Sequence, residues 1–252
     1  MSKRTSKRNL KRANNDLQAA RRDDNIRHLF DDPNWSPLTP DQRDQKYRKT
    51  IRAQNPTQQD MMDAINEVPL VFAAGAAGTG KTYIAVAKAV EALDAGKVRR
   101  IVLSRPAVEA GESLGFLPGD IEEKLSPYLR PLYDALCDRL PAKKIRSLTA
   151  EGVIEIAPVA FMRGRTLNNA FVVIDEAQNC TYGQLKMLLT RLGWHSSMVI
   201  TGDPKQSDLL PGISGFEDII EKLAPLQRIK VVNFKSTEVV RHPLVADMVS
   251  VL

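Results

Sequence analysis

A glycine-rich segment, GAAGTGKT at residues 75–82, lies between an apolar run and an alanine-rich stretch. The apolar run VPLVFAA (68–74) predicts a buried β-strand, and residues 80–95 predict a helix that Gly96 ends as a left-handed cap. Glycines let the backbone curl so that successive N–H groups point inward, and the start of a helix adds a positive partial charge. The spacing GxxxxGK(S/T), between a strand and a helix, predicts a phosphate-binding loop.

Each residue of this loop has an expected role. Lys81 would reach the β- and γ-phosphates of a nucleotide, and the Thr82 hydroxyl would ligate Mg²⁺. The structural alternative is a glycine-rich turn with a chance lysine, but strand, loop and helix all agree with the phosphate-loop interpretation. The predicted nucleotide-binding residues are Gly75, Ala76, Ala77, Gly78, Thr79, Gly80, Lys81, Thr82, Tyr83 and, upstream, Gln58.

Gln58 belongs to the segment Asn55-Pro56-Thr57-Gln58, which precedes the first predicted strand. A glutamine amide can both donate to and accept from the edge of an adenine base, so Gln58 is a candidate for base recognition. Thr57 followed by Asp60 also resembles a helix start, and both interpretations can hold together.

Strand and helix patterns alternate along the rest of the chain. Strands are predicted at 68–74, 100–106, 153–159, 171–177, 197–203 and 229–234, and helices at 57–66, 80–95, 120–140, 181–192, 214–224 and 242–251. This alternation predicts an α/β fold in which a mostly parallel sheet has helices on both faces. Ligands in such sheets bind at the carboxyl ends of the strands, where the polar clusters GAAGTGKT, DEAQ and TGDPKQ are expected.

Two acidic residues end the predicted strand FVVIDEA (171–177). Asp175 would hold Mg²⁺, and Glu176 would orient and deprotonate the attacking water. The strand pleat would place the two carboxylates on opposite sides. A strand-ending acid pair without a metal is the alternative. Gln178 would read the γ-phosphate or couple it to a bound nucleic-acid strand.

The segment TGDPKQ (201–206) ends the next predicted strand. Thr201 and Gln206 are candidates for contact with the γ-phosphate and the attacking water, and an ordinary Asp-Pro turn is the alternative. Four arginines near strand or helix ends are candidates to stabilise charge on the transferring phosphoryl group: Arg105, Arg163, Arg165 and Arg241. A surface or salt-bridged arginine is the alternative for each, and the sequence does not say which one acts from a neighbouring subunit.

The excess charge of the chain is concentrated at its N-terminus. The net charge is +6, and residues 1–50 carry all of it, with 13 basic and 7 acidic side chains. Residues 1–52 are predicted to be a basic arm and connector, partly disordered or helical, and residues 53–252 a single α/β domain. The arm would either condense on nucleic-acid phosphates or remain a solvated terminus.

Several classes of protein are disfavoured by composition. No apolar run approaches the ~18 residues of a membrane-spanning helix, and no apolar segment follows the N-terminal charges as it would in a secretory signal. The two cysteines, Cys137 and Cys180, and the three histidines have neither disulfide nor zinc spacing. The expected compartment is the reducing cytoplasm, without a membrane partner.

The motifs together resemble the PhoH-like family of P-loop ATPases over residues 53–252. The resemblance is carried by GAAGTGKT, SRPAVEAGESLGFLPGDIEEKLSPYLRPLYDAL, FMRGRTL, VVIDEAQN, ITGDPKQSDLLPG and VVRHPLV. The LGFLPGD…KLSPYLRPLYD and MRGRTL segments are the most specific. The resemblance implies a RecA-like ATPase core related to superfamily-one helicases, a link to phosphate starvation, and assembly into a ring, expected to be a hexamer.

The resemblance also assigns roles to residues. It implies that the loop residues bind ATP and Mg²⁺, that Asp175 and Glu176 serve metal and water, and that Gln206 senses the γ-phosphate. Arg241 matches the position of an arginine in the family's C-terminal motif. The SRP segment and the loop 109–119 correspond to regions where helicase relatives touch nucleic acid. The chain departs from longer members, since no KH-like or PIN domain is seen, and it resembles the short PhoH proteins of bacteriophages.

Three functions follow as hypotheses. The first is an ATPase that couples hydrolysis to RNA remodelling or unwinding in a homo-oligomeric ring, with single-stranded RNA as partner and a neighbouring subunit completing each site. The second is a nucleotide-gated regulatory or adaptor protein with slow ATPase and no helicase activity. The third, a nuclease, ranks lowest because no carboxylate cluster stands apart from the nucleotide site. The sequence does not separate RNA from DNA.

Overall fold

The computed structural model describes residues 50–106 and 121–240, the side chains of 121–126 excepted. Nearly all of the predicted basic arm, the loop 109–119 and the predicted helix 242–251 therefore lie outside the described residues. The domain boundary after residue 52 stays a prediction.

The described chain contains six strands and six α-helices. The strands are β1 (Leu70–Gly75), β2 (Arg100–Arg105), β3 (Ile154–Pro158), β4 (Ala170–Ile174), β5 (Ser197–Gly202) and β6 (Ile229–Phe234). The helices are α1 (Pro56–Glu67), α2 (Lys81–Asp94), α3 (Ile121–Cys137), α4 (Ala142–Ala150), α5 (Tyr182–Leu189) and α6 (Phe216–Leu223).

The six strands form one sheet in the order β3-β2-β4-β5-β1-β6, and every neighbouring pair is parallel. The predicted parallel α/β architecture is confirmed. Because β4, β5 and β1 are adjacent, the segments that follow them meet at one edge of the sheet. That edge is where a parallel sheet binds its ligands.

Alternate residues of the strands pack into two separate apolar cores, one on each face of the sheet. Val71, Val173 and Val199 face α1 to α4, while Phe72, Val172 and Ile200 face α5 and α6. Burial on both faces explains why the central strands are continuous apolar runs.

Helix α1 shows how local sequence fixes the approach to the site. The Asn55 side chain accepts a hydrogen bond from the Gln58 N–H at 2.8 Å, and Pro56 occupies the first helical turn, where its missing N–H costs nothing. Asn55 therefore caps the helix, and the Thr57 hydroxyl donates instead to Glu238 Oε1 at 2.5 Å.

Several boundaries differ from those predicted, among them the end of β4 and the end of the helix predicted at 120–140. Strand β4 ends at Ile174, three residues earlier than expected. The Asp175 N–H still donates to the Ser104 carbonyl of β2 at 2.8 Å, and Glu176 then adopts a left-handed conformation. Helix α3 ends at Cys137, and a separate helix α4 follows Pro141, which the sequence pattern did not predict. Among the residues that the structure describes, no helix has the length and apolarity needed to cross a membrane.

Gly75 ends β1 with φ of +132°, and a Cβ there would lie 2.1 Å from the Phe234 carbonyl oxygen on β6. Neither backbone can yield without breaking the sheet. We therefore expect Gly75→Ala to lower the free energy of unfolding by about 3 kcal/mol, measured by urea denaturation. Gly183→Ala in α5 is the control, since nothing lies within 4 Å of its Cβ and alanine favours the helix. Equal stability of the two variants would contradict this account.

Candidate nucleotide-binding site

A cavity of about 210 Å³ opens at the carboxyl ends of β1, β4 and β5. It brings the predicted phosphate loop and the predicted acid pair together, although they are far apart in sequence. Its lining consists of Ala77, Gly78, Gly80, Lys81, Thr82, Tyr83, Asp175, Glu176, Gly202 and Asp203.

The loop itself has the conformation that phosphate binding requires. Gly78 and Gly80 have φ of +79° and +87°, in the left-handed region that a Cβ disfavours, and α2 begins at the next residue. Lys81 is 7% exposed, and its Nζ donates to the carbonyl oxygens of Gly75 and Ala76 at 2.6 and 2.7 Å. The lysine thus holds the loop closed from inside.

Burial lowers the pKa of Lys81, an effect opposed by the nearby carboxylates of Asp203, Glu176 and Asp175, in that order. The charged form of Lys81 is stabilised by any further negative charge that enters the cavity. Its placement therefore suits a phosphate group.

The side chain of Asp175, which follows β4, contacts both the start of α2 and the end of β5. Its Oδ1 accepts hydrogen bonds from the Thr82 and Thr201 hydroxyls, both at 2.6 Å, and the residue is almost fully buried. A hydroxyl and a carboxylate oxygen in contact are the donor set of a nucleotide-bound Mg²⁺, which takes one or two protein oxygens and completes its shell with phosphates and water. Within the described ranges, no group of three or more His, Cys, Asp or Glu side chains is arranged to hold a metal ion.

Glu176 lies beyond the end of β4 and not on the strand pleat, so the predicted reason for its orientation is wrong. It adopts φ of +53° and ψ of +42°, a left-handed conformation that is costly for a residue with a side chain. Its carboxylate accepts a hydrogen bond from the Gln178 amide and lies 3.5 Å from Arg105 Nη2. Arg105 Nη1 is also 3.8 Å from Asp175 Oδ2, so one guanidinium faces both acids.

Gln58 and Tyr83 lie at the margins of the phosphate loop. Gln58 is 5% exposed, with its amide nitrogen donating to the Thr79 carbonyl at 3.0 Å and its oxygen accepting from the Gln54 N–H at 2.8 Å. The side chain thereby supports the loop, and contact with an adenine base stays a prediction. Tyr83 is 41% exposed and lines the rim of the cavity.

The segment after β5 contributes a residue that the sequence analysis missed. Gln206 is exposed, and it is not one of the described residues that line the cavity. Its role as a γ-phosphate sensor stays a prediction. Asp203 lines the cavity instead, and its Oδ2 accepts from the Ala77 N–H at 3.0 Å. The available signal was its place in the polar cluster TGDPKQ, in which Thr201 and Gln206 are the predicted contacts and an ordinary Asp-Pro turn is the alternative.

A protein-family model described as PhoH-like protein matches residues 50–252. The chain belongs to the PhoH-like family. It is 55% identical over 202 residues to a PhoH-like protein of Bacillus subtilis (strain 168), a match covering 80% of this chain and 63% of the relative. It is 47% identical over 205 residues to the protein PhoH of Escherichia coli (strain K12), covering 80% and 58% of the two chains.

The matched part spans about three-fifths of the length of these PhoH relatives. Among solved structures, the PhoH-like fold resembles the large terminase of a thermophilic bacteriophage, with a TM-score of 0.51 at 11% identity over 79% of this chain and 50% of the terminase. That likeness extends to the fold alone, and it agrees with the RecA-like P-loop class predicted from the sequence.

The remaining candidate arginines of this PhoH-like chain are placed differently. Arg165 forms a bidentate ion pair with Glu155 at 2.5 and 2.7 Å, which holds the pKa of that carboxyl below its usual range. Arg163 is exposed. Arg241 lies outside the described residues, but Val240, immediately before it, donates its N–H to the Gly78 carbonyl at 2.9 Å. A catalytic role for Arg241 stays a prediction.

Proposed function

We propose that this chain binds ATP together with Mg²⁺ and hydrolyses the terminal phosphate. The observation that carries the proposal is the hydrogen bond between Thr82 of the phosphate loop and Asp175 after β4. That contact sets a hydroxyl and a carboxylate side by side in a cavity that also holds Lys81 and Glu176.

The side chains that line the cavity would have different roles. Thr82 and Asp175 would hold Mg²⁺, which when bound neutralises charge on the β- and γ-phosphates. The loop N–H groups and Lys81 would bind the phosphate oxygens, with Lys81 exchanging its carbonyl partners for them. Glu176, fixed by Gln178 and Arg105, would accept a proton from the attacking water.

The size of the cavity indicates which part of the nucleotide it takes. Its volume of about 210 Å³ is below the ~300–1,000 Å³ of typical small-molecule sites. The phosphates and the metal fit inside it, and the nucleoside would lie beyond the rim at Tyr83. A cavity of this size supports a site that recognises the phosphates of the nucleotide more than its base or sugar.

We further propose that hydrolysis is coupled to remodelling of single-stranded RNA in a homo-oligomeric, hexameric ring. Two features support this extension: the family resemblance, and the six Lys and Arg side chains of residues 1–12, which would contact nucleic-acid phosphates. In a ring, a neighbouring subunit would cover the exposed rim of the cavity.

The test is ATP turnover by the full chain with Mg²⁺, with and without single-stranded RNA, at several protein concentrations of measured oligomeric mass. We expect turnover per subunit to rise with assembly and to rise again with RNA. Turnover that is independent of both would favour the nucleotide-gated regulatory function. Absence of ATP binding with Mg²⁺ present would overturn the proposal altogether.

A further inference from the structure

The carboxylate of Asp203 lies where an anion is expected to bind. It is 6% exposed, it lines the cavity, and its Oδ2 accepts from the Ala77 N–H of the phosphate loop at 3.0 Å. Inward N–H groups of such loops are the donors that bind phosphate oxygens. The Asp203 carboxylate thus occupies an N–H donor that a nucleotide phosphate would otherwise bind.

The position of Lys81 agrees with this arrangement. Its Nζ donates hydrogen bonds to the carbonyl oxygens of Gly75 and Ala76. Among the nearby carboxylates, Asp203 raises the pKa of Lys81 the most. The loop amide and the loop lysine are therefore both engaged within the protein. A phosphate that enters must replace the carboxylate at Ala77 and attract the lysine away from the carbonyls.

Asp203 is also bonded to the residue that holds Glu176. The Asp203 N–H donates to Gln178 Oε1 at 3.0 Å, and the other end of the same amide donates to the Glu176 carboxylate and to the Gln206 carbonyl. Both acids therefore belong to the same end of the cavity. Since Glu176 is placed to act on the attacking water, that end would receive the terminal phosphate.

The segment around Asp203 has little freedom to move independently. A Cβ on Gly202 would lie 2.7 Å from the Phe216 ring and 2.9 Å from Gln178 Oε1, so the backbone there is packed against its neighbours. The Gln178 side-chain oxygen therefore lies against the backbone of both Gly202 and Asp203.

We propose that Asp203 reads the terminal phosphate by competing with it for the Ala77 N–H. This inference rests on the proposed nucleotide function and refines it, because it assigns the γ-phosphate response to Asp203 and not to Gln206. A triphosphate, and not a diphosphate, would then displace the carboxylate of the residue whose N–H donates to Gln178, the side chain that holds Glu176.

The test compares Asp203→Asn with the wild-type chain in equilibrium binding of AMP-PNP and of ADP, both with Mg²⁺, by titration calorimetry. Asparagine keeps an oxygen for the Lys205 N–H, which now donates to Asp203 Oδ1 at 3.1 Å, so the turn is preserved. Loss of the negative charge is expected to tighten AMP-PNP binding about tenfold and to change ADP binding less than about twofold. Asp203→Ser provides a second variant without the charge.

Asp208→Asn is the matched control, an acid-to-amide change in the same segment that leaves the cavity untouched, and its two affinities should equal those of the wild type. Weaker AMP-PNP binding in Asp203→Asn would show that the carboxylate helps to bind the nucleotide with its Mg²⁺, and that it does not compete with the terminal phosphate for the Ala77 N–H. If the ratio of AMP-PNP affinity to ADP affinity changes in Gln206→Ala but not in Asp203→Asn, Gln206 and not Asp203 senses the terminal phosphate. Failure of the wild type to bind either nucleotide would instead remove the proposed function itself. Circular dichroism of each variant confirms that it is folded.

Discussion

Lys81→Ala is expected to reduce ATP turnover by about 10³-fold or more, because Lys81 is the one cationic side chain among the described residues that line the cavity. The neighbours of the Lys81 ammonium include two carbonyl oxygens and the carboxylates of Asp203, Glu176 and Asp175, which repel a triphosphate once the lysine is gone. Steady-state phosphate release, with Mg²⁺ and saturating ATP, is the measurement.

Lys88→Ala is the control for that variant. Lys88 is on the same helix, α2, and forms an ion pair with Glu91 at 2.9 Å, away from the cavity lining. Its loss should leave turnover close to that of the wild type, since such pairs contribute little. Wild-type turnover in Lys81→Ala would remove the phosphate loop from the proposed chemistry.

Glu176→Gln is expected to lower turnover by about 10²- to 10⁴-fold while nucleotide affinity stays close to that of the wild type. The substitution keeps the size of the side chain and one oxygen, but it removes the base that would accept the proton of the attacking water. Single-turnover hydrolysis and nucleotide binding, measured on the same preparation, separate the two effects.

The matched control is Glu217→Gln, an equivalent change at an exposed position in the first turn of α6. It should leave both turnover and affinity unchanged. If the Glu176 variant instead loses affinity and keeps its rate per bound nucleotide, Glu176 is a binding residue and the base must be sought elsewhere.

The parts of this fold that were predictable are those that depend on neighbours in sequence. The strand, loop and helix around GAAGTGKT follow from apolar patterning and glycine spacing, and the structure places them close to the predicted bounds. The confirmed parallel class follows from alternation alone. The order β3-β2-β4-β5-β1-β6 does not, because it depends on which strands pair across the whole chain.

The site shows the same division. The juxtaposition of Thr82 and Asp175 was expected, since both follow buried strands of a parallel sheet. The left-handed backbone of Glu176 was not, because no local pattern requires it and the surrounding contacts impose it. The contact between Asp203 and the Ala77 N–H joins residues 126 positions apart, and only the folded chain reveals it.

The hydrogen bond from Val240 to the Gly78 carbonyl has a mechanical consequence. It ties the backbone that follows β6 directly to a glycine of the nucleotide loop. Because Val240 is bonded to that glycine, we expect a ligand that shifts Gly78 to shift the Val240 amide as well.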